Sequence, residues 1–411
     1  MQLASSQLPD SRKPCGSMTP AMRDEVTRSP HWANAFANQR KDRRYYEIVE
    51  DTIRQGFDYR YFILRDAEGR VCAIQPYFIV DQDLLAGAGH RAKAVAAAIR
   101  RFYPRFMQMR TMMVGCAAGE GHLDAADDES RRGNAQIMVE GIRIHARKAQ
   151  VALIVLKEFP AQYRAVLECF VAHGYTRIPS MPMVCLDLDY ADFNDYLERG
   201  VSTRMRAHFR QDSRRWERTA PIEMMVVCDA SSFVDEIYPL YLQMYERSSL
   251  RFEKITRDYL CRIGRDMPDK ARFFVWRQSG KTIGFNLCLV HDDTICSEYA
   301  GFDYAVAFDV RLYFYAFRDI VSWAIANGYR RFLSGSLNYE PKRRLRFALY
   351  PLDLYVRHRS PILNVAFRFL LPLVEPTRAD KHLPGFSNFS ELWAGAAAVT
   401  GGAEARMAAE R

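Results

Sequence analysis

The chain reads as an α/β protein, more closely α+β, built as two tandem units, each a mixed twisted sheet flanked by helices. Three observations lead there. Its 411 residues exceed one ordinary domain and suit two. Hydrophobic residues make up 49% and charged residues 26%, enough for a core that needs no disulfide or metal. One order of elements also occurs twice: strand hairpin, helix, strand, helix, strand.

The first forty residues are polar, with Pro, Ser and Arg scattered through them and no apolar run of a secretion signal. They read as a flexible arm over 1–40. Residues 43–56 have helical spacing and end in Gly56. A strand, a turn at AEGR and a second strand follow to about residue 80. Residues 92–106 are rich in strong helix formers, and 107–115 form a strand. The loop VGCAAGEGH then carries Gly115, Gly119 and Gly121 among acidic neighbours. It fits neither the P-loop nor the dinucleotide fingerprint, so a surface loop is expected. Residues 135–150 are helical, VALIVLKEF is a strand, 162–175 a helix and PMVCLDLDY a strand.

The second unit opens with the helix VSTRMRAHFRQDSRRWERTA. Arg210, Arg214 and Arg218 share one face at i+4 spacing, where like charges repel and an anionic partner would relieve the cost. A solvated connecting helix is the plainer reading. IEMMVVCD is a strand, followed by two helical segments. ARFFVWRQ and TIGFNLCLVHDD form a hairpin through SGK, and TICSEYAGF is a third strand. Residues 310–328 make a helix closed by Gly328. YRRFLSGS is a strand, KRRLRF a short helix whose N-terminus would face the strand end, and LDLYVR a last strand. The limits are thus 41–190 and 191–375, with a frayed tail over 376–411.

Lys plus Arg number 58 against 49 Asp plus Glu, a net charge of +9. That balance suits an anionic cofactor, RNA or an acidic membrane surface. The nine cysteines have no C-x-x-C spacing and sit mostly in apolar stretches, the pattern of reduced core thiols in the cytoplasm. No run of about 18 apolar residues is present. The longest apolar candidate, 361–374, carries Arg368 and Pro372. The lone His of EGHLD does not make a metal site, and no metal is expected.

Motifs for a nucleophile elbow or a zinc enzyme are missing. What remains is chemistry by positioning, with a carboxylate or tyrosine managing a proton. Glu298, Tyr299 and Asp303 at a strand end, and Asp309 before the long helix, are the candidates.

Four pieces of the second unit resemble the FemAB-like, peptidoglycan-biosynthesis branch of the GNAT acyltransferase superfamily. They are YLQMYERSSLRF, FFVWRQSGKTIGFNLCLVHDDTICSEYAG, WAIANGYRRFLSGS and NYEPKRRLRF; the Arg-rich opening helix is similar too. The resemblance implies two tandem GNAT-like domains in a bacterial, cytoplasmic acyltransferase, with peripheral contact at the inner membrane face an open alternative. It implies an acyl or aminoacyl group moving from an activated ester or thioester to an amine, with no covalent enzyme intermediate. No cofactor is bound permanently; acyl-CoA or another activated donor is a co-substrate.

In such a fold two neighbouring strands splay to hold the donor, here TICSEYAG and RRFLSGS. Ser334, Ser336, Asn338 and Tyr339 would line that mouth, while Lys342, Arg343, Arg344 and Arg346 would meet the donor's phosphates. Two departures stand out. Phe314 occupies an acidic position of the long helix, and the Gln/Arg-x-x-Gly-x-Gly/Ala pyrophosphate loop is missing from both units. Two alternatives stay open. One is an aminoacyl-tRNA-dependent ligase of cell-wall precursors; the other is a non-catalytic basic module on RNA or anionic membrane. No DNA contact is expected.

Overall fold

The computed structural model describes residues 16–83, 90–104, 108–248 and 251–395. Fourteen strands are present in this part of the chain: β1 Ser17–Ala21, β2 Asp58–Arg65, β3 Val71–Asp83, β4 Gln108–Val114, β5 Leu153–Pro160, β6 Thr176–Pro179, β7 Met183–Asp187, β8 Ile222–Val227, β9 Ala271–Gln278, β10 Lys281–His291, β11 Thr294–Phe302, β12 Arg331–Ser334, β13 Ala348–Tyr350 and β14 Leu352–His358. They form two sheets of seven, ordered β1-β2-β3-β4-β5-β14-β6 and β8-β9-β10-β11-β12-β7-β13.

The two orders match position by position except in origin. β7 belongs to the first half of the chain yet pairs with β12 and β13 in the second sheet. β14 closes the second half yet lies between β5 and β6 in the first sheet. The sheets therefore exchange their sixth strands across the expected boundary near residue 190. Each unit is completed only by the other. β7 is a run of four apolar residues ahead of Asp187, and β14 sets Leu354, Tyr355 and Val356 in a row, so both sequences call for burial without saying which sheet supplies it.

Three layers of core follow. Helix Asp128–Lys148 and helix Arg164–Ala172 cover the outer face of the first sheet with Met138, Ile142, Leu167 and Phe170. Helices Thr203–Trp216 and Leu312–Ala326 cover the outer face of the second through Phe209, Trp216, Phe317 and Ile320. Helices Arg43–Thr52, Val234–Arg247 and Arg257–Asp266 share one core reaching both sheets, in which Tyr45, Ile237, Tyr259 and Phe285 are buried.

Two expectations are corrected. Residues 16–40 are not a loose arm: Val26, Trp32 and Phe36 are buried, because this polar stretch carries apolar residues at its turns. Residues 376–395 are not frayed either. Leu383, Phe386 and Leu392 are buried, and the carbonyls of Glu391 and Leu392 accept hydrogen bonds from Arg164 at 2.8 and 3.1 Å. The end of the tail, 396–411, lies outside the described residues.

Arg164 also carries the strand exchange. Its guanidinium donates to both carboxylate oxygens of Asp353 on β14, at 2.6 and 3.0 Å, and both side chains are buried. Removing one partner of such a pair leaves a buried charge alone. Asp353→Ala should therefore cost about 3–5 kcal/mol, read as a fall in urea midpoint with both halves unfolding in one transition. Two separated transitions would contradict the interlocked architecture.

Candidate active site

In each sheet one parallel ladder runs for four residues and then parts. β4 and β5 pair from Thr111↔Leu153 to Val114↔Leu156. β11 and β12 pair from Thr294↔Arg331 to Ser297↔Ser334. The outcomes then differ.

The first opening is filled by the chain itself. Beyond Val114 the Gly-rich loop turns inward, and the Gly121 N–H donates to the Glu158 carbonyl at 3.1 Å. A Cβ on Gly121 would lie 2.5 Å from the Lys157 carbonyl oxygen, so only glycine fits. The loop is thus buried, not a surface loop: Cys116, Ala117, Ala118, Glu120 and His122 are all buried. Its acidic character serves an internal ion cluster. The second opening keeps its edge. β12 stops at Ser334 while β11 continues to Phe302, and Glu298, Tyr299 and Ala300 stay partly exposed.

Glu298 points into the cluster that joins the units. Lys41 Nζ lies 2.8 Å from Glu120 Oε2 and 3.0 Å from Glu298 Oε2. Arg40 bonds Glu298 Oε1 at 2.9 Å and also pairs with Glu120. Burial works against the Lys41 charge, yet the two carboxylates outweigh it and raise its pKa. All four charges are matched, two against two. Both Glu298 oxygens are thus committed to the cluster.

Tyr299 has a different neighbour. Its hydroxyl donates to Glu253 Oε1 at 2.9 Å, and its ring meets Tyr259 edge-on at 5.6 Å. Burial raises the Glu253 carboxyl above its ordinary value, against the opposing pull of Lys157 and of the Tyr299 hydroxyl. Burial also raises Tyr299 strongly, so it stays protonated and acts as a donor. A partly exposed carboxylate with raised pKa beside an open strand edge is the arrangement a general base needs. Glu253 lies between two helices with no periodic signal, and sequence reasoning passed over it.

Asp303 is apart from this group. It sits past the end of β11, pairs with Lys281 at 2.7 Å and accepts from the Ala305 N–H at 3.0 Å. The Lys281 bond lowers its pKa, though burial opposes this. Asp309 is exposed, and its carbonyl accepts from Arg215 at 3.0 Å.

The loop after β12 gathers most of the other expected residues. Ser334 is the last ladder residue and faces Val184 across the sheet. Ser336 Oγ donates to the Met181 carbonyl at 3.0 Å, and the buried Tyr339 hydroxyl to the Pro182 carbonyl at 2.8 Å. Leu337 and Asn338 have φ of 71° and 52°, two successive left-handed residues that are not glycine. Such strain persists only where the surroundings hold it. Lys342 is the clamp: its buried Nζ donates to the carbonyls of Gly335 and Leu337 at 2.5 and 2.9 Å. Burial lowers its pKa to about 7. Lys342 thus faces the loop, not an external phosphate.

The basic run is also oriented differently from expectation. The helix is Tyr339–Arg344, so Arg343 and Arg344 lie at its C-terminal end, where the dipole favours cations, and not at an N-terminus. Arg344 pairs with Glu340. Arg346 holds φ of 63° at the position of a helix C-terminus where glycine is usual. Its N–H bonds the Arg343 carbonyl, and the Phe347 N–H bonds the Lys342 carbonyl, both at 3.1 Å. Arg204, His208, Arg343, Arg344 and Arg346 surround a cavity of about 340 Å³ beside Ser202, the N-cap of helix Thr203–Trp216. Among the described residues no ion pair engages Arg204, Arg343 or Arg346.

The Acetyltransferase (GNAT) domain family model matches residues 203–343. FemX is similar in fold at 10% identity and a TM-score of 0.50, the alignment covering 87% of this chain and 99% of FemX. The C-terminal domain of a putative lysylphosphatidylglycerol synthetase from Agrobacterium fabrum aligns at 15% identity and TM-score 0.48, covering 81% of this chain and 95% of that one. A tandem GNAT protein from the clavulanic acid biosynthesis pathway aligns at 13% and 0.47, covering 84% and 99%. No curated protein sequence matches the chain.

Two measurements check this geometry. Glu298→Gln should lower stability by about 3 kcal/mol in urea titration, because it leaves the Arg40 and Lys41 charges with one carboxylate; a variant of wild-type stability would show that the cluster is not structural. For Lys342, the unfolded amine binds its proton up to about pH 10.5 and the folded one only to about 7. Between those values the unfolded state holds more protons, so stability rises with pH. The stability of wild type relative to Lys342→Met should therefore rise from about pH 7 towards 10.5 and stay flat below 7. A difference that does not change with pH would place the amine in water.

Proposed function

We propose that this chain, a GNAT-type acyltransferase with a FemX-like tandem fold, moves an acyl or aminoacyl group to an amine at the parting of β11 and β12. The observation that carries this reading is the open edge of β11 beyond Ser297. The first unit's opening is closed by its own loop, whereas Glu298–Ala300 offer strand hydrogen bonds with no β12 partner. An extended amide-bearing donor arm fits such an edge as an added strand.

The amine nitrogen attacks the donor carbonyl, and a carbon–nitrogen bond forms. The proton it loses passes to Glu253, whose raised pKa brings it nearer the working range of a base. The carbon–oxygen or carbon–sulfur bond to the leaving group then breaks, and the proton returns to that group. Tyr299 holds the Glu253 carboxylate in place, and the loop clamped by Lys342 shapes the mouth.

The donor's phosphate-bearing end is assigned to the cavity of Arg204, Arg343 and Arg346. Six residues of helix span about 9 Å, so this cavity lies a short reach from the mouth. Three arginines without carboxylate partners suit a ligand carrying several negative charges, through bidentate forks. An acyl-CoA and a charged tRNA both supply that chemistry, and a screen with each separates them.

The test is turnover of acyl-CoA and charged tRNA with a panel of amines. Glu253→Gln should lower kcat about a hundredfold with little change in melting midpoint, and the acidic limb of the wild-type rate profile should lie above the ordinary carboxylate value of 4.5. Arg346→Gly relieves a left-handed arginine, so its stability should equal wild type or exceed it by up to ~1 kcal/mol. The same variant should bind donor at least about tenfold more weakly. If no donor is consumed and none shifts the midpoint, the acyltransfer reading fails.

A further inference from the structure

The helix Pro361–Val374 follows β14 and has its apolar residues on the wrong side for a soluble surface. Ile362, Val365, Phe369 and Leu373 recur at helical spacing and are 82, 59, 71 and 72% exposed. Leu363 and Leu370, about half exposed, widen the same stripe. The opposite face is tied down. Phe367 and Leu371 pack on the shared core, and Phe367 lies 5.3 Å from the His358 ring. Asn364 donates to the Gly174 carbonyl and accepts from the His358 N–H, both at 2.8 Å. The helix is therefore fixed to the body with an apolar stripe turned outward. Isolated exposed leucines need no explanation, but a continuous stripe of six large apolar residues does.

The charge beside it indicates what covers that stripe. Arg357, at the end of β14, lies close to Asn364 at the helix base, both flanking Gly174. Burial lowers the Arg357 pKa, and its like-charged neighbours Arg143 and Arg147 lower it further. Arg359 and Arg368 are exposed on the same segment. Among the described residues no ion pair engages any of these five arginines. Arg357 lies over the Tyr175 ring at 5.7 Å, but a protein core offers no reason to gather arginines without acid partners around an apolar helix. An anionic bilayer surface offers one, since its headgroups meet the guanidinium groups while its acyl boundary takes the stripe.

We propose that Pro361–Val374 is an in-plane anchor that docks this protein on an anionic lipid surface. It lies on the membrane and does not span it; no helix among the described residues is long and apolar enough to cross. The stripe sinks into the headgroup boundary, and Arg143, Arg147, Arg357, Arg359 and Arg368 meet the lipid phosphates. This docking stands independently of the acyl-transfer reading.

Co-sedimentation with vesicles tests it, using phosphatidylcholine alone and phosphatidylcholine containing phosphatidylglycerol. Wild type should sediment with the anionic vesicles, less with the neutral ones, and less again as salt rises. Phe369→Glu/Leu373→Glu should lose binding at least about tenfold with an unchanged melting midpoint, because both side chains are exposed. Arg143→Gln/Arg147→Gln should weaken anionic binding and leave neutral binding alone. Two results would overturn the proposal. One is equal sedimentation of wild type and the double glutamate variant. The other is a wild-type dimer, seen by sedimentation velocity, that the double glutamate variant abolishes, since a second copy would then cover the stripe.

Discussion

Four buried charges hold the molecule's middle together. Arg40 and Lys41 come from the N-terminal segment, Glu120 from the loop that fills the first sheet's opening, and Glu298 from the strand that borders the second. None could be buried alone without several kcal/mol of desolvation. Each is tolerable only because the other three are present, so the cluster forms when all three segments are in place. The inward turn of the Gly-rich loop and the fixed line of the β11 edge then depend on the same contacts. The edge's rigidity follows from electrostatics behind it, not from the residues that line its open side.

This arrangement explains why two similar openings have different fates. In the first sheet glycine allows the backbone to come back against Glu158 and occupy the gap. In the second, the residue after the last ladder pair is Glu298, whose side chain is drawn away towards Lys41. Past Ser334 the chain leaves β11 for the loop at Ser336–Asn338, which bonds the Met181 carbonyl ahead of β7 and is held in a strained form by Lys342. One unit thus buttresses, and the other keeps the edge on which an extended ligand can lie.

Much of the order of elements was legible in the sequence, because hairpin turns such as SGK and helix stops such as Gly328 are local signals. The exchange of β7 and β14 was not. The apolar content of MVCLD and LDLYVRH says that both are buried, and nothing in it names the partner strand. The buried fate of Glu120 was hidden for a similar reason, since an acidic loop looks solvated until its cations, eighty residues earlier, are known. Among candidate site residues, Glu298 and Tyr299 were found at the edge itself. Glu253 was missed because its place at the edge comes from a tertiary contact with Tyr299, and Asp303 was included because a strand end looks alike whether it caps a turn or faces a cleft. Lys342 stood out by charge, yet its position behind the loop could only come from packing.

The strand exchange has a consequence for how the protein is made. β5 leaves the ribosome roughly 190 residues before β14, an interval of ~10–40 s at ordinary elongation rates. Throughout that time the first sheet lacks its sixth strand, and β5 presents an edge of unpaired backbone. A nascent chain in this state invites pairing with another copy. Shielding of β5 until residue 358 emerges would favour correct pairing, so slowing or speeding translation between the two strands should change the folded yield.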